Sequence, residues 1–216
     1  MTWYRMTRPH AAEPVSKGLD GDVRPDLLTR RANGDLALHT AATDPEGRVV
    51  GLGWDVFDTI LGAADFSGDA AGDVLARKPD GTLWLYAGTG TGSFRAGVRI
   101  GLGWQVFEEI VSPGDFTGDG AADVLARKPD GTLWLYAGNG RGGWAAAGRR
   151  IGLGWQTFAH VLPAGDRTGD GRSDVLALRS DGTLLVYPGN GRGGWASGGQ
   201  TTARGWDSAV PVIGIR

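Results

Sequence analysis

The chain has no cysteine, only three histidines and two methionines among its 216 residues. Without cysteine there are no disulfides, no thiol nucleophile and no thiolate zinc site. His10, His39 and His160 stand at unrelated places, so no shared catalytic role is expected of them. No apolar run approaches the roughly 18 residues a membrane-spanning helix needs, so membrane insertion is not expected. The first ten residues, MTWYRMTRPH, lack the apolar core of a secretory leader. An extracellular protein whose signal peptide has been removed, or otherwise a cytoplasmic one, is the expectation. Charge of one sign is also missing: 22 Lys and Arg against 24 Asp and Glu give a formal charge of -2, with the cations scattered. That excludes the electrostatic footprint of a nucleic-acid partner.

Glycine, by contrast, is abundant, at 39 residues, and much of it recurs at fixed places. Trp54, Trp104 and Trp155 each close a GLGW, and Trp206 closes a shorter RGW. A spacing of about 50 residues signals a solenoid or a propeller. Within one unit four strands alternate with turn signals. WQVFEEIV is followed by an acidic loop, ADVLARK by the turn Pro129-Asp130-Gly131, TLWLYAG by the loop NGRGGW, and a last stretch ends in RRIG. Four short antiparallel strands per unit is the pattern of a propeller blade. Leu133 and Leu135 point one way and Trp134 and Tyr136 the other, so both faces are apolar, as stacked blades require.

The expected fold is therefore all-β: a β-propeller of four blades, each of four antiparallel strands, in a single domain. Its units run over about 15–50, 51–100, 101–151 and 152–205. A C-terminal strand at 206–213 is expected to join the N-terminal blade and close the ring, which removes its sheet edges. A larger ring built from two chains, or from a longer repeat array, is the alternative.

Aligned by their glycines, the acidic loops read GLDGDVRPD (18–26), DFSGDAAGD (65–73), DFTGDGAAD (115–123) and DRTGDGRSD (166–174). Calcium takes six to eight hard oxygen ligands, and a glycine-assisted turn brings alternate side chains to one centre. The predicted ligands are Asp65, Ser67, Asp69 and Asp73 with the Ala71 carbonyl; Asp115, Thr117, Asp119 and Asp123 with the Ala121 carbonyl; and Asp166, Thr168, Asp170 and Asp174 with the Arg172 carbonyl. The first loop has Gly18 at its first position and keeps only Asp20, Asp22 and Asp26, so a fourth site there is expected to be weak or empty. Asp-Gly turns also form without metal. Against that plain reading, twelve of the 24 acidic residues fall in these four windows, and crowded carboxylates repel one another unless a cation neutralises them.

The D-x-[ST]-G-D-G-x-x-D loop, followed by DVLAR and DGTLWLYxGNG, resembles the FG-GAP or VCBS-type repeat of integrin-alpha-like propellers, in the form found in actinobacterial secreted proteins. The likeness covers residue 18 to about 213. It implies blades, calcium in the loop between the first two strands of each, and roles in adhesion, carbohydrate binding or as an accessory module. Integrin-like rings usually have seven blades, which is a departure here. The GW-x-x-F segment is similar, over one strand per unit, to tachylectin-type propeller lectins.

The loops GNGRGGW at 138–144 and 189–195 bring together an amide, a guanidinium and an indole. Such a set recognises a sugar, with the ring stacked on tryptophan and its hydroxyls bonded by the polar groups. Asn139, Arg141, Trp144, Asn190, Arg192 and Trp195 are the candidate ligand-binding residues, a glycan or cell-surface ligand the expected partner, and a protein partner the alternative. The competing reading makes Trp144 and Trp195 blade-edge core. No nucleophile elbow, phosphate loop or HExxH helix is present, so a non-catalytic module is favoured over an enzyme hidden in the central channel. Glu108 and Glu109, adjacent on an expected strand, point to opposite faces and cannot flank one bond.

Overall fold

The computed structural model describes residues 18–22, 26–40 and 46–206. Its strands form four separate antiparallel sheets arranged as a four-bladed β-propeller. The first blade holds β1 (Leu27–Arg30), β2 (Leu36–His39) and β3 (Arg48–Gly51). The second holds β4 (Thr59–Gly62), β5 (Val74–Arg77), β6 (Leu83–Tyr86) and β7 (Val98–Gly101). The third holds β8 (Glu109–Gly114), β9 (Asp123–Arg127), β10 (Leu133–Tyr136) and β11 (Arg149–Gly152). The fourth holds β12 (Phe158–Gly165), β13 (Asp174–Arg179), β14 (Leu184–Tyr187) and β15 (Gln200–Ala203). Within each sheet the strands pair in chain order, and β8 packs against both β4 and β12, so the first strands of blades two, three and four lie innermost.

The GW segments differ from the sequence reading. Trp54–Val56, Trp104–Val106 and Trp155–Thr157 are single 3-10 turns, and the strand begins after them. The cause is the preceding glycine: Gly103 sits at φ 76°, a left-handed conformation that turns the chain before the strand can start. The turn drives the indole inward, so Trp54, Trp104 and Trp155 are buried. Gly101 must be bare for this, because a Cβ there would lie 2.3 Å from Trp104 Nε1.

Each turn is bolted to the blade before it. The N–H of Trp54, Trp104 and Trp155 donates to the carbonyl of Gly34, Gly81 and Gly131 at 2.8, 2.9 and 3.0 Å. An arginine at the end of β1, β5 and β9 then reaches into the next blade: Arg30, Arg77 and Arg127 donate to the Trp54, Trp104 and Trp155 carbonyls at 3.3, 3.1 and 2.9 Å. Trp206 repeats the first contact, its N–H donating to Gly182 O at 3.2 Å. The remainder of the expected closing strand lies outside the described residues.

Hydrophobic clusters fill the spaces between blades. Leu133 and Leu135 join Trp155, Phe158 and Val175 on one side of the third blade, while Trp134 and Tyr136 pack with Trp104, Phe107 and Leu85 on the other. Alternation along β10 thus feeds two interfaces, as the sequence implies.

Candidate functional site

The acidic loops of blades two, three and four join the first and second strands of their blades, and the first acidic loop leads into β1. They fold around their own carboxylates. Asp115 accepts the N–H of Gly118 (2.6 Å) and Asp119 (3.1 Å) on Oδ1, and that of Gly120 (2.9 Å) on Oδ2. Asp65 and Asp166 do the same with the matching amides of their loops. Asp119, Asp69 and Asp170 each accept from the amide two residues on, at Ala121, Ala71 and Arg172. Asp69 and Asp170 also pair with Arg95 and Arg172, each at 3.2 Å.

The last aspartate of each loop is a buried post. Asp123 accepts from Phe116 and Thr117 on Oδ2 at 2.9 and 2.8 Å, and from Gly138 on Oδ1 at 3.0 Å. Asp174 and Asp73 likewise tie their loops to Gly189 and Gly88. Burial raises Asp73 and Asp123 to a pKa of about 6, against the opposing pull of these amides. In the first loop Asp26 is raised by burial as well, Asp20 accepts from Asp22 N–H, and residues 23–25 lie outside the described residues.

As the loops stand, no three His, Asp or Glu side chains among the described residues gather into a group that could hold a metal ion. The donor chemistry nevertheless suits a hard divalent cation, since a carboxylate oxygen that accepts one amide keeps a second lone pair. Thr117 Oγ1 is buried without a hydrogen-bond partner in the third loop. Ser67 Oγ, its counterpart, lies against the Asp73 carboxylate without an aligned bond.

The second set of candidates lies on the same face of the ring, in the loops after the third strands. Each such loop interlocks with the acidic loop of the preceding blade: Gly142 N–H donates to Phe66 O and Gly193 N–H to Phe116 O, both at 3.0 Å. A Cβ on Gly118 would meet Gly191 O at 2.5 Å, so the two backbones nearly touch. The two predicted sites therefore form one continuous rim.

Within that rim the predicted sugar-binding residues divide. Asn139 spends its Oδ1 on Arg141 N–H and Gly143 N–H, and Asn190 on Arg192 and Gly194. Trp144 stacks on Trp104 at 5.3 Å and donates its Nε1–H to Ile100 O at 2.9 Å. Trp195 stacks on Trp155 at 5.1 Å and donates to Ile151 O at 3.2 Å. Both indoles are half-buried, with their polar atoms committed to the fold, while Arg141 and Arg192 are exposed.

Three features escaped the sequence reading. Glu108 and Glu109 both reach Arg127, at 2.8 and 3.1 Å, because Glu108 precedes β8 and escapes strand alternation. Glu109 also lies 3.6 Å from His160 on the neighbouring inner strand, and burial raises its pKa. Leu52, Leu102 and Leu153, the leucines of GLGW, are 77%, 69% and 67% exposed at the ring's other face. Comparing the repeats position by position, with Thr59, Glu109 and His160 in one register, is the signal that would have exposed the inner-strand pair.

A lectin from Agrocybe aegerita, whose structure describes specific recognition of non-reducing terminal N-acetylglucosamine, superposes with a TM-score of 0.58 at 18% identity. The match covers 86% of this chain and 50% of that one. The BP39L lectin of Burkholderia pseudomallei matches with a TM-score of 0.46 and 20% identity over 82% of this chain and 51% of that one. The chain thus spans about half the length of these structures. No curated protein matches it. Residues 65–126 and 115–176, together just over half of the chain, match the model of the FG-GAP-like repeat.

Proposed function

We propose, from the premise that this chain belongs to the FG-GAP-like repeat family, that it is a non-catalytic recognition module that binds glycans through the rim of interlocked loops. The observation that carries this reading is the rim itself: it repeats between blades two and three and between blades three and four, and presents Arg141 and Arg192 outward. Equivalent weak sites one blade apart suit a repetitive surface ligand, which avidity then holds. The same fold serves a lectin in Agrocybe aegerita. Calcium belongs to this proposal as a structural ion held by the carboxylates of the three complete acidic loops. There it would supply charge neutralisation and an oxygen-bonding partner for Thr117. Binding to a glycan array by the wild type, set against Arg141→Ala/Arg192→Ala, tests the reading. Loss of selective signal in a folded variant is expected, and an unchanged pattern refutes the rim as the site.

A second reading, a ring that docks another protein, is favoured by one observation. Leu52, Leu102 and Leu153 stand exposed in the same register of successive blades, on the face away from the acidic loops. Exposed apolar groups arranged together mark interaction surfaces. Their replacement by asparagine separates this reading from the first, because it leaves glycan binding at the rim intact.

A further inference from the structure

We infer that the outer ends of blades two and three carry a pair of equivalent binding sites for a carboxylated sugar, built on Trp84 and Trp134 at the face opposite the acidic loops. This rests on the recognition reading but uses none of the rim residues.

Trp84 and Trp134 are the second residues of β6 and β10, and each is half-buried. The fold does not require tryptophan there. The matching positions are Ala37 in the first blade and Leu185 in the fourth, paired with Val49 and Thr201 across the sheet. Where the indole is present, its cross-strand partner is an exposed arginine: Trp84 faces Arg99 and Trp134 faces Arg150. The two residue types appear together in blades two and three and are absent together from blades one and four.

The rest of each site is ordered around the indole. Trp84 Nε1–H donates to Thr82 Oγ1 at 2.9 Å, and Thr82 O–H donates to Asp80 Oδ1 at 2.6 Å. Trp134, Thr132 and Asp130 repeat the chain at 3.0 and 2.6 Å. The relay fixes the indole plane and leaves Oδ2 of each aspartate clear of it. Lys78 and Lys128 hold their ammonium groups over the indoles at 4.8 and 4.7 Å. Arg99 and Arg150 form no ion pair within 4.0 Å among the described residues and act on Asp80 and Asp130 from farther away.

An aromatic plane flanked by two cations and one anchored carboxylate has a defined complement. The C–H face of a pyranose stacks on an indole, a carboxylate on that ring takes the planar fork of arginine, and a ring hydroxyl donates to the aspartate. Lysine is the movable part: its long stem lets the ammonium leave the ring and pair with the incoming carboxylate. A neutral sugar leaves both cations unused, and a nucleic acid requires a run of phosphate contacts that two isolated pairs do not offer. Because the sites stand one blade apart, an acidic polysaccharide engages both.

The test is a glycan array that holds uronate-containing and neutral glycans, probed with the wild type, Arg99→Gln/Arg150→Gln and Trp84→Leu/Trp134→Leu. The leucine variants copy what the fourth blade already carries, so they fold. Thermal melts confirm that for both. For a hyaluronan decasaccharide, the expected result is binding by the wild type that weakens as NaCl is raised. Affinity should fall at least tenfold in each double variant. Neutral glycans bound equally by all three proteins overturn this inference and leave the recognition reading standing. An array that stays blank with folded protein overturns both.

Discussion

Replacing Arg127 by methionine tests how the blades are held together. The Arg127 side chain is 7% exposed, and its guanidinium donates to Trp155 O, reaches Phe158 O across the blade boundary, and pairs with Glu108 and Glu109. Methionine keeps the apolar stem and removes every one of these contacts. A charge-assisted hydrogen bond contributes about 1.5–3 kcal/mol, and stripping one partner from a buried ion pair costs about 3–5 kcal/mol. Glu109 is 17% exposed and loses its guanidinium, keeping only His160 at 3.6 Å, so the loss is set at about 4 kcal/mol by that penalty. Arg77→Met breaks the same latch one blade earlier, but its partner Asp58 is 35% exposed and water compensates it. About 2 kcal/mol is expected there. Urea unfolding of both variants, with slopes equal to wild type, reads the difference directly. At roughly 2–4 °C per kcal/mol for a chain of this size, Arg127→Met melts about 8–16 °C below the wild type. An equal cost at the two positions refutes the penalty assigned to buried Glu109, and a cost at Arg127 under about 1 kcal/mol refutes the latch as an inter-blade bond.

Further outcomes follow from the same geometry. Gly101→Ala puts a Cβ 2.3 Å from the Trp104 indole nitrogen and is expected to cost about 3 kcal/mol, the upper end for overpacking of a filled site. Gly103→Ala, with nothing within 4 Å but a φ of 76°, costs about 1–2 kcal/mol from backbone strain alone, and thermal melts rank the two. Glu109 has its pKa raised by burial from the ordinary 4.5. Between 4.5 and its raised value the folded state binds more protons than the unfolded one, so this group makes stability fall as pH rises through that window. Asp73 and Asp123, raised to about 6, add slopes of the same sign, so Glu109→Gln makes the decline shallower, and a pH series of melting temperatures that matches the wild type refutes a contribution from Glu109. Chelation with EGTA, on protein shown to start calcium-loaded, lowers the melting temperature by several degrees if the acidic loops hold structural calcium. An unchanged melt removes the ion from the account.

The blades were legible because their signals are local. The Asp-Gly turns at Asp80, Asp130 and Asp181 and the double-faced strands LWLY and LLVY stand in the chain order that the sheets follow. The tryptophan turns were not, because WQVF reads as an extended apolar segment until the left-handed glycine before it is known. The acidic windows could be found from charge alone, yet their internal wiring, in which each first aspartate cradles three amides, depends on backbone geometry that no spacing reveals. Trp144 and Trp195 show the limit most clearly. A Gly-rich loop ending in an indole has one sequence whether the ring faces solvent or, as here, stacks on Trp104 or Trp155. Arg127 was invisible for a related reason: it looks like an ordinary strand-end cation, and the carbonyls it bonds lie about 30 residues away in the next blade.

Glycan-array binding of the calcium-loaded wild type is the measurement that bears most directly on the central claim. Selective binding that disappears with Arg141→Ala/Arg192→Ala is the predicted result and assigns recognition to the rim of interlocked loops. A folded protein that binds no glycan on the array contradicts the claim and turns attention to the exposed leucines and a protein partner.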